Sequence, residues 1–239
     1  MQDKYVIIVA GGKGLRMGSD SPKQFQVLCG RPVLMHTLDA FYDYDRAIRI
    51  ILVLPDVQMV YWKNLCTDYD FNIPHVVVSG GETRFHSVKN GLSLIEKQLA
   101  AKEQNWMDNV LIGVHDGVRP LVSKSLIART YEQATLEKGA YPIIPVTDSL
   151  RKSTGATAKK FVSVDRSKYF LVQTPQVFWA DLLIAAYKQD YKEEFTDDVS
   201  VVEAAGTCHP TTVEGKRENL KITTPIDFAI AQILMKCKT

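Results

Sequence analysis

A glycine-rich stretch near the N-terminus, Ala10-Gly11-Gly12-Lys13-Gly14-Leu15-Arg16-Met17-Gly18, comes directly after a short β-branched run and shortly before Pro22-Lys23-Gln24. Glycines leave backbone amides free to turn towards an anion with no side chains in the way, so the loop reads as a phosphate cradle. Arg16 and Lys23 add a planar guanidinium fork and a compact ammonium at its edge. A triphosphate carries several negative charges, and its α-phosphorus is open to attack only where that charge is screened and the transition state is held. Two common nucleotide loops fail on spacing: a dinucleotide fingerprint needs a glycine where Met17 stands, and no Gly-Lys-Ser/Thr completes a P-loop. Taken alone, the loop also reads as a plain glycine turn with solvated cations beside it.

Other chemistry-bearing clusters lie further along. Gly80-Gly81-Glu82-Thr83-Arg84 is a second glycine turn in front of a helical segment. In His115-Asp116-Gly117-Val118-Arg119-Pro120 an acid and a base three residues apart either face one ligand or form an ordinary surface pair. His115 reads as a buried or supporting residue. Thr196-Asp197-Asp198 has the chemistry of a helix start, where a hydroxyl can also meet a substrate.

The elements that position these clusters alternate. Residues 5–9, 48–54, 75–78, 110–114 and 141–146 are short apolar runs with the look of buried strands, and residues 32–41, 57–69, 83–99 and 123–138 have helical spacing between them. This order predicts an α/β fold: one Rossmann-like domain over residues 1–239, with a mostly parallel sheet flanked by helices. Ligands of such sheets bind beyond the carboxyl ends of the strands, where the glycine loops and the His115–Pro120 turn fall. Residues 147–168 break the alternation. They are polar, with strand-like 150–152 and 161–164 around Ser153-Thr154-Gly155, and predict a protruding β-arm that needs a partner surface, here a second subunit. Helices are expected over 179–187 and 196–205, a strand over 208–213 and a last helix from Pro225.

Lys and Arg number 29 against 27 Asp and Glu, a net charge of +2 that gives no reason to expect nucleic acid or membrane as a bulk partner. Four scattered cysteines with no C-x-x-C spacing fit a reduced cytoplasm. The N-terminus lacks the features of a signal peptide, and no apolar run reaches membrane-spanning length.

The first loop with Pro22-Lys23-Gln24 resembles that of the 2-C-methyl-D-erythritol 4-phosphate cytidylyltransferases of non-mevalonate isoprenoid biosynthesis. The segments at Gly80–Arg84 and His115–Pro120 match in order, as do Val164-Asp165-Arg166, Gln173-Thr174-Pro175-Gln176, Thr196-Asp197-Asp198 and Val213-Glu214-Gly215 with Asn219-Leu220-Lys221. The resemblance implies transfer of a cytidylyl group from CTP to a sugar-alcohol phosphate, with release of pyrophosphate. It implies that Arg16, Lys23, Arg166 and Lys221 are catalytic. It places CTP against Ala10, Gly11, Gly12, Gly14, Arg16, Lys23, Gly80, Gly81, Glu82, Ser87, Asp116 and Lys221, with cytosine read by backbone groups of Ala10, Gly11, Gly80 and Gly81 and Ser87 nearby. It assigns the acceptor to Asp116, Arg119, Thr174, Thr196 and Lys221, with Ser149 and Arg166 reaching in from a partner subunit through the arm. A phosphate nucleophile is already anionic at neutral pH and needs no general base.

A divalent cation, Mg²⁺, is expected from charge, because CTP and a phosphate must approach each other. The sequence has no compact carboxylate cluster, so the metal is expected chiefly on the nucleotide. Three departures from the family pattern, Gly11, Gly117-Val118 and Ser149, keep small size or hydroxyl function. A ribitol-5-phosphate cytidylyltransferase is the nearest rival, and a nucleotide-binding regulator without catalysis comes from a different class. Keeping all four cations argues against the regulator, since a binder has no use for groups that serve only the transition state.

Overall fold

The computed structural model describes residues 2–11, 22–101, 109–155 and 160–236. The first apolar run becomes β1 (Asp3–Val9), in which Tyr5, Val6, Ile7 and Ile8 are fully buried. Successive side chains on a strand point to opposite faces. Val6 and Ile8 accordingly join one apolar cluster, while Tyr5 and Ile7 join another across the sheet. A strand buried on both faces needs helices above and below it.

Those helices arrive in alternation. After a short hairpin, β2 (Val27–Leu28) and β3 (Arg31–Pro32), come α1 (Val33–Tyr44), β4 (Arg49–Leu54), α2 (Asp56–Asp68), β5 (Val76–Ser79), α3 (Arg84–Ala100), β6 (Val110–Asp116), α4 (Lys124–Glu137) and β7 (Gly139–Pro145). Leu34, Leu38 and Phe41 of α1, Trp62 of α2 and Ile127 and Tyr131 of α4 pack on the Val6 face, whereas Phe85, Val88, Leu92 and Ile95 of α3 pack on the Ile7 face. Pro32 and Pro55 immediately precede α1 and α2, and the side chains of Thr83 and Ser123 cap α3 and α4.

The remaining elements are β8 (Arg151–Ser153), β9 (Phe161–Ser163), β10 (Phe170–Val172), β11 (Gln176–Trp179), α5 (Ala180–Ala186), α6 (Asp198–Ala205), β12 (Thr211–Glu214) and α7 (Pro225–Lys236). The large sheet runs β10-β7-β11-β6-β1-β4-β5, with β12 paired to β7. Strands β1, β4, β5 and β6 are mutually parallel, with Val9 level with both Val53 and Asp116. Their carboxyl ends therefore gather the loops after residues 9, 54, 79 and 116 along one edge.

The structure differs from the sequence-based expectation in its C-terminal third. β11 lies antiparallel between β6 and β7, and β10 pairs antiparallel with the far end of β7. Ala140 pairs with Val177 and Thr211, and Ile143 with Val172 and Glu214, so β10 and β11 share one edge of β7 and β12 holds the other. Strands of three and four residues, separated by Gln173, Thr174 and Pro175, are too short to show a period. Trp179 closes a strand instead of opening a helix, α6 begins at Asp198, and the last strand is Thr211–Glu214. The arm is present as the antiparallel pair β8–β9, and all six of its strand residues are exposed.

Gly113 in β6 marks a close approach between sheet and helix. A Cβ there would lie 2.5 Å from Oη of Tyr131, whose hydroxyl donates to the Tyr5 carbonyl at 2.6 Å. Gly113→Ala is expected to cost about 1–3 kcal/mol through overpacking, and Tyr131→Phe about 1 kcal/mol through the lost hydrogen bond. The double variant should cost less than the sum, because removing the hydroxyl relieves the clash. Urea denaturation of the four proteins reads this coupling, and strictly additive costs would refute the contact.

Candidate active site

The edge where β1, β4 and β5 end is held by backbone bonds and one glutamine. The Ala10 amide donates to the Val53 carbonyl at 3.0 Å, and the Gly80 amide donates to Leu54 at 2.8 Å. Nε2 of Gln24, a buried residue, donates to the Ala10 carbonyl at 2.9 Å and to Oε1 of Gln58 at 2.8 Å. That amide ties the turn Lys23–Phe25, and with it the backbone of Lys23, to the end of β1. Gly12, Gly14 and Arg16 lie outside the described residues.

At the second glycine turn, Oγ of Ser87 accepts the Gly81 amide at 3.1 Å and donates to the Thr83 carbonyl at 3.0 Å. A Cβ on Gly81 would lie 2.4 Å from that of His86, so only glycine fits against the start of α3. Glu82 is exposed just before the cap.

Asp116, the last residue of β6, collects three cations. Its Oδ2 lies 3.0 Å from Nε of Arg119 and 3.1 Å from Nζ of Lys221, and its Oδ1 lies 3.9 Å from Nε of Arg84. Burial alone would raise this carboxyl; Lys221, then Arg119 and Arg84, outweigh it and hold it well below the usual carboxylate range. His115, beside it, has no exposure at all. The Thr174 hydroxyl accepts the Asp116 amide at 3.1 Å and lies 3.0 Å from Nδ1 of His115, while Nε2 of His115 faces the Arg119 carbonyl at 3.4 Å. A carbonyl only accepts, so Nε2 carries the proton and Nδ1 accepts from Thr174. Burial pushes the imidazole down to about 3, so it is neutral at physiological pH.

Arg84 forks onto Asp198, Nη1 to Oδ1 at 2.9 Å and Nη2 to Oδ2 at 2.6 Å, and the Tyr187 hydroxyl donates to the same carboxylate at 2.6 Å. Burial acts against the guanidinium charge; Asp198 and then Asp116 overcome it. Gln176 sets the start of α6: its Oε1 accepts the amides of Asp198 at 2.9 Å and Val199 at 3.0 Å, and its Nε2 donates to Asp197 at 3.0 Å. Asp197, not Thr196, caps the helix, exchanging bonds with Ser200.

Between these groups lies a cavity of about 200 Å³ lined by Arg84, Asp116, Val172, Thr174, Gln176, Thr196, Asp197 and Lys221. Four residues expected from the sequence to hold the acceptor meet here: Asp116, Thr174, Thr196 and Lys221. Arg84, Gln176 and Asp197 stood in segments already singled out but carried no assigned role, and Val172 stood in none. Arg119 is not among the lining residues; besides Asp116 it donates to the Asn219 carbonyl at 2.8 Å, which ties β6 to the loop carrying Lys221. Ser149 and Arg166 are exposed on the arm, where Arg166 donates to the Thr147 carbonyl, and neither lines the cavity. Among the described residues, no three His, Cys, Asp or Glu side chains converge. With three cations on its carboxylate, Asp116 does not fit the role of a protein ligand to a divalent metal.

Comparison with known proteins places this geometry in a family context. The family model for 2-C-methyl-D-erythritol 4-phosphate cytidylyltransferase matches residues 5–237. A protein of that name from Azobacteroides pseudotrichonymphae is 51% identical over 98% of this chain and 100% of its own. Its namesake from Bacteroides thetaiotaomicron is 52% identical over 96% of this chain and 98% of its own. A crystal structure of 4-diphosphocytidyl-2C-methyl-D-erythritol synthase superposes with a TM-score of 0.79 at 29% identity, covering 98% of this chain and 99% of the other.

The neutral His115 generates a pH prediction. Its folded value of about 3 lies below the ordinary 6.5, so between those values the unfolded chain binds more protons and stability falls as pH falls. From pH 6.5 to 4.5 this residue should contribute a loss of up to about 1.4 kcal/mol per pH unit. Urea denaturation at several pH values should show a flatter dependence for His115→Gln than for the parent chain. Equal slopes would refute the assignment.

Proposed function

The chain belongs to the 2-C-methyl-D-erythritol 4-phosphate cytidylyltransferase family, and from that premise we propose which of its residues carry the reaction. The enzyme transfers the cytidylyl group of CTP to 2-C-methyl-D-erythritol 4-phosphate, giving 4-diphosphocytidyl-2-C-methyl-D-erythritol and pyrophosphate. An oxygen of the acceptor phosphate forms a bond to the α-phosphorus, the bond from that phosphorus to the bridging oxygen breaks, and the electron pair leaves with pyrophosphate. The full-length matches favour neither a ribitol phosphate acceptor nor a silent nucleotide binder.

The observation that carries the residue assignment is the cavity beyond β6, where Lys221 and Arg84 present cations beside the Asp116 carboxylate. In this reading CTP lies along Ala10, Gly11, Gly12 and Gly14, with Arg16 and Lys23 on its phosphates and Gly80, Gly81, Glu82 and Ser87 around cytosine. Asp116 takes a ribose hydroxyl. Lys221 orients the acceptor phosphate, with Thr174 and Thr196 on the polyol. Arg119, committed to Asp116 and Asn219, acts by holding that carboxylate and the Lys221 loop in place. An acceptor misplaced by about 1 Å would lose on the order of 10²-fold in rate.

We further propose a homodimer in which the arm of residues 147–168 brings Ser149 and Arg166 to the neighbouring site. Support comes from Phe161, Phe170 and Leu171, each about half exposed on or beside the arm, where contact with protein would take apolar surface out of water. The body of the chain is then one nucleotidyltransferase domain over 1–239. A cytoplasmic setting fits the free thiols of Cys29, Cys66 and Cys208; among the described residues no helix is long and apolar enough to cross a membrane.

Two measurements test these assignments. Arg166→Ala and Lys221→Ala should each lose most activity, and mixing the two under subunit exchange should restore about a quarter of wild-type turnover, because half the dimers then hold one intact site. No recovery, with exchange demonstrated, would rule out the shared site. We place Mg²⁺ on the nucleotide: chelation should abolish turnover and Mg²⁺ restore it, while titration calorimetry should detect Mg²⁺ binding with CTP present and negligible binding without it. Tight binding to the nucleotide-free protein would refute that placement.

A further inference from the structure

The seven other residues lining the cavity all carry polar or charged side chains, and Val172 alone is apolar. The acceptor has the same distribution: a phosphate and hydroxyls that seek polar partners, and a single methyl branch on C2. Resting on the reading that this cavity takes the acceptor, we propose that Val172 is the residue by which this chain selects the methyl-branched sugar phosphate over its unbranched counterpart.

Val172 is the last residue of the three-residue strand β10 and is 40% exposed. Side chains alternate along a strand, so Val172 faces the cavity while Leu171 faces the other way. Its position is rigid. Val172 is in register with Ile143 of β7, and the Gln173 amide donates to the Pro142 carbonyl at 2.8 Å. The Gln173 side chain then bonds the loop that carries Lys221: Nε2 donates to the Lys216 carbonyl at 2.8 Å, and Oε1 accepts the Lys216 amide at 3.2 Å. Asn219 closes the connection by donating to the Thr174 carbonyl at 2.9 Å. One hydrogen-bonded unit therefore holds the apolar spot and the phosphate-seeking ammonium in a set relation, as an acceptor read at both ends requires.

A methyl group laid on Val172 removes apolar surface of both partners from water, whereas against the remaining walls it would strip polar groups of solvent and return no hydrogen bond. A methyl-sized difference in an apolar pocket is worth about 10–200-fold in specificity. With one partly exposed valine as the contact, a preference near the lower end is expected.

The test compares kcat/KM for 2-C-methyl-D-erythritol 4-phosphate and for D-erythritol 4-phosphate at saturating CTP. The parent enzyme should prefer the branched substrate by about tenfold. Val172→Thr, nearly isosteric but polar, and Val172→Ala should each cut that ratio several-fold, chiefly through a higher KM for the branched substrate. Sedimentation and circular dichroism report whether the variants keep their fold and assembly. Should both misfold, Val172→Ile is read instead, and a changed ratio is again the expected result. A ratio unchanged in the folded variants, or equal losses on the two substrates, overturns the proposal. Lys221→Met separates this from failure of the site assignment: if it raises the KM for CTP and leaves that for the sugar phosphate untouched, the acceptor lies elsewhere and the role of Val172 falls with it.

Discussion

One carboxylate, placed at the carboxyl end of a buried strand and ringed by three cations, is the interaction on which the site depends. Asp116 draws Arg119 from its own loop, Lys221 from the segment after β12 and Arg84 from the first turn of α3. Taking such charges out of water is unfavourable for each alone, and the arrangement persists because each is paired. Asp198 takes up the other half of the guanidinium fork of Arg84, leaving an excess of one positive charge among these five groups. The cavity wall itself sets Arg84 and Lys221 against Asp116 and Asp197, a local balance in keeping with a chain whose overall charge is only +2.

The same side chains hold the fold and shape the cavity. The amide of Gln176 can do what neither a carboxylate nor an apolar residue can, accepting two helix-start amides through Oε1 while donating to Asp197 through Nε2. It thereby joins β11 to α6 and sets Thr196 and Asp197 at the cavity wall. Gln24 plays the corresponding part at the first glycine loop, linking the end of β1 to the turn of Lys23 and to α2. Amides suit both places for different reasons: Gln176 accepts and donates at once, while Gln24 gives the two protons of its Nε2 to two acceptors, and a buried group left unpaired at either place would be costly.

How much of this was legible in the sequence follows from the range of the interactions. The strands β1, β4 and β6 are continuous apolar runs because both their faces are buried, and such runs show without knowledge of any partner. β10 and β11 do not, since they are three and four residues long and take their place only by pairing with β7 and β6. Glycine turns and loops that fold locally, such as Gly80-Gly81 and Asp116 to Arg119, were readable from spacing. Arg84 was not, because its partner Asp198 lies 114 residues away and no local pattern links them. For Arg119 the spacing left a ligand contact and a structural pair both open, and its bond to the carbonyl of Asn219, 100 residues on, is likewise invisible to any local pattern.

The exposed apolar residues around the arm remain to be reconciled with a folded chain in water. β10 is apolar throughout yet exposed at every position, and its two faces look in different directions. A strand of that composition is unfavourable in solvent on either face, so each face calls for a cover. On the Val172 side lies the cavity, and in the proposed reading the acceptor is that cover. On the Leu171 side, and along Phe161 and Val162 of the hairpin, protein surface is the fitting cover, because the hairpin has no sheet neighbour beyond its own two strands among the described residues. If a neighbouring subunit supplies that cover, the strand it grips is the strand that presents Val172. Assembly and substrate selection then share one element, and the dimer holds the acceptor wall in place while its arm delivers Arg166.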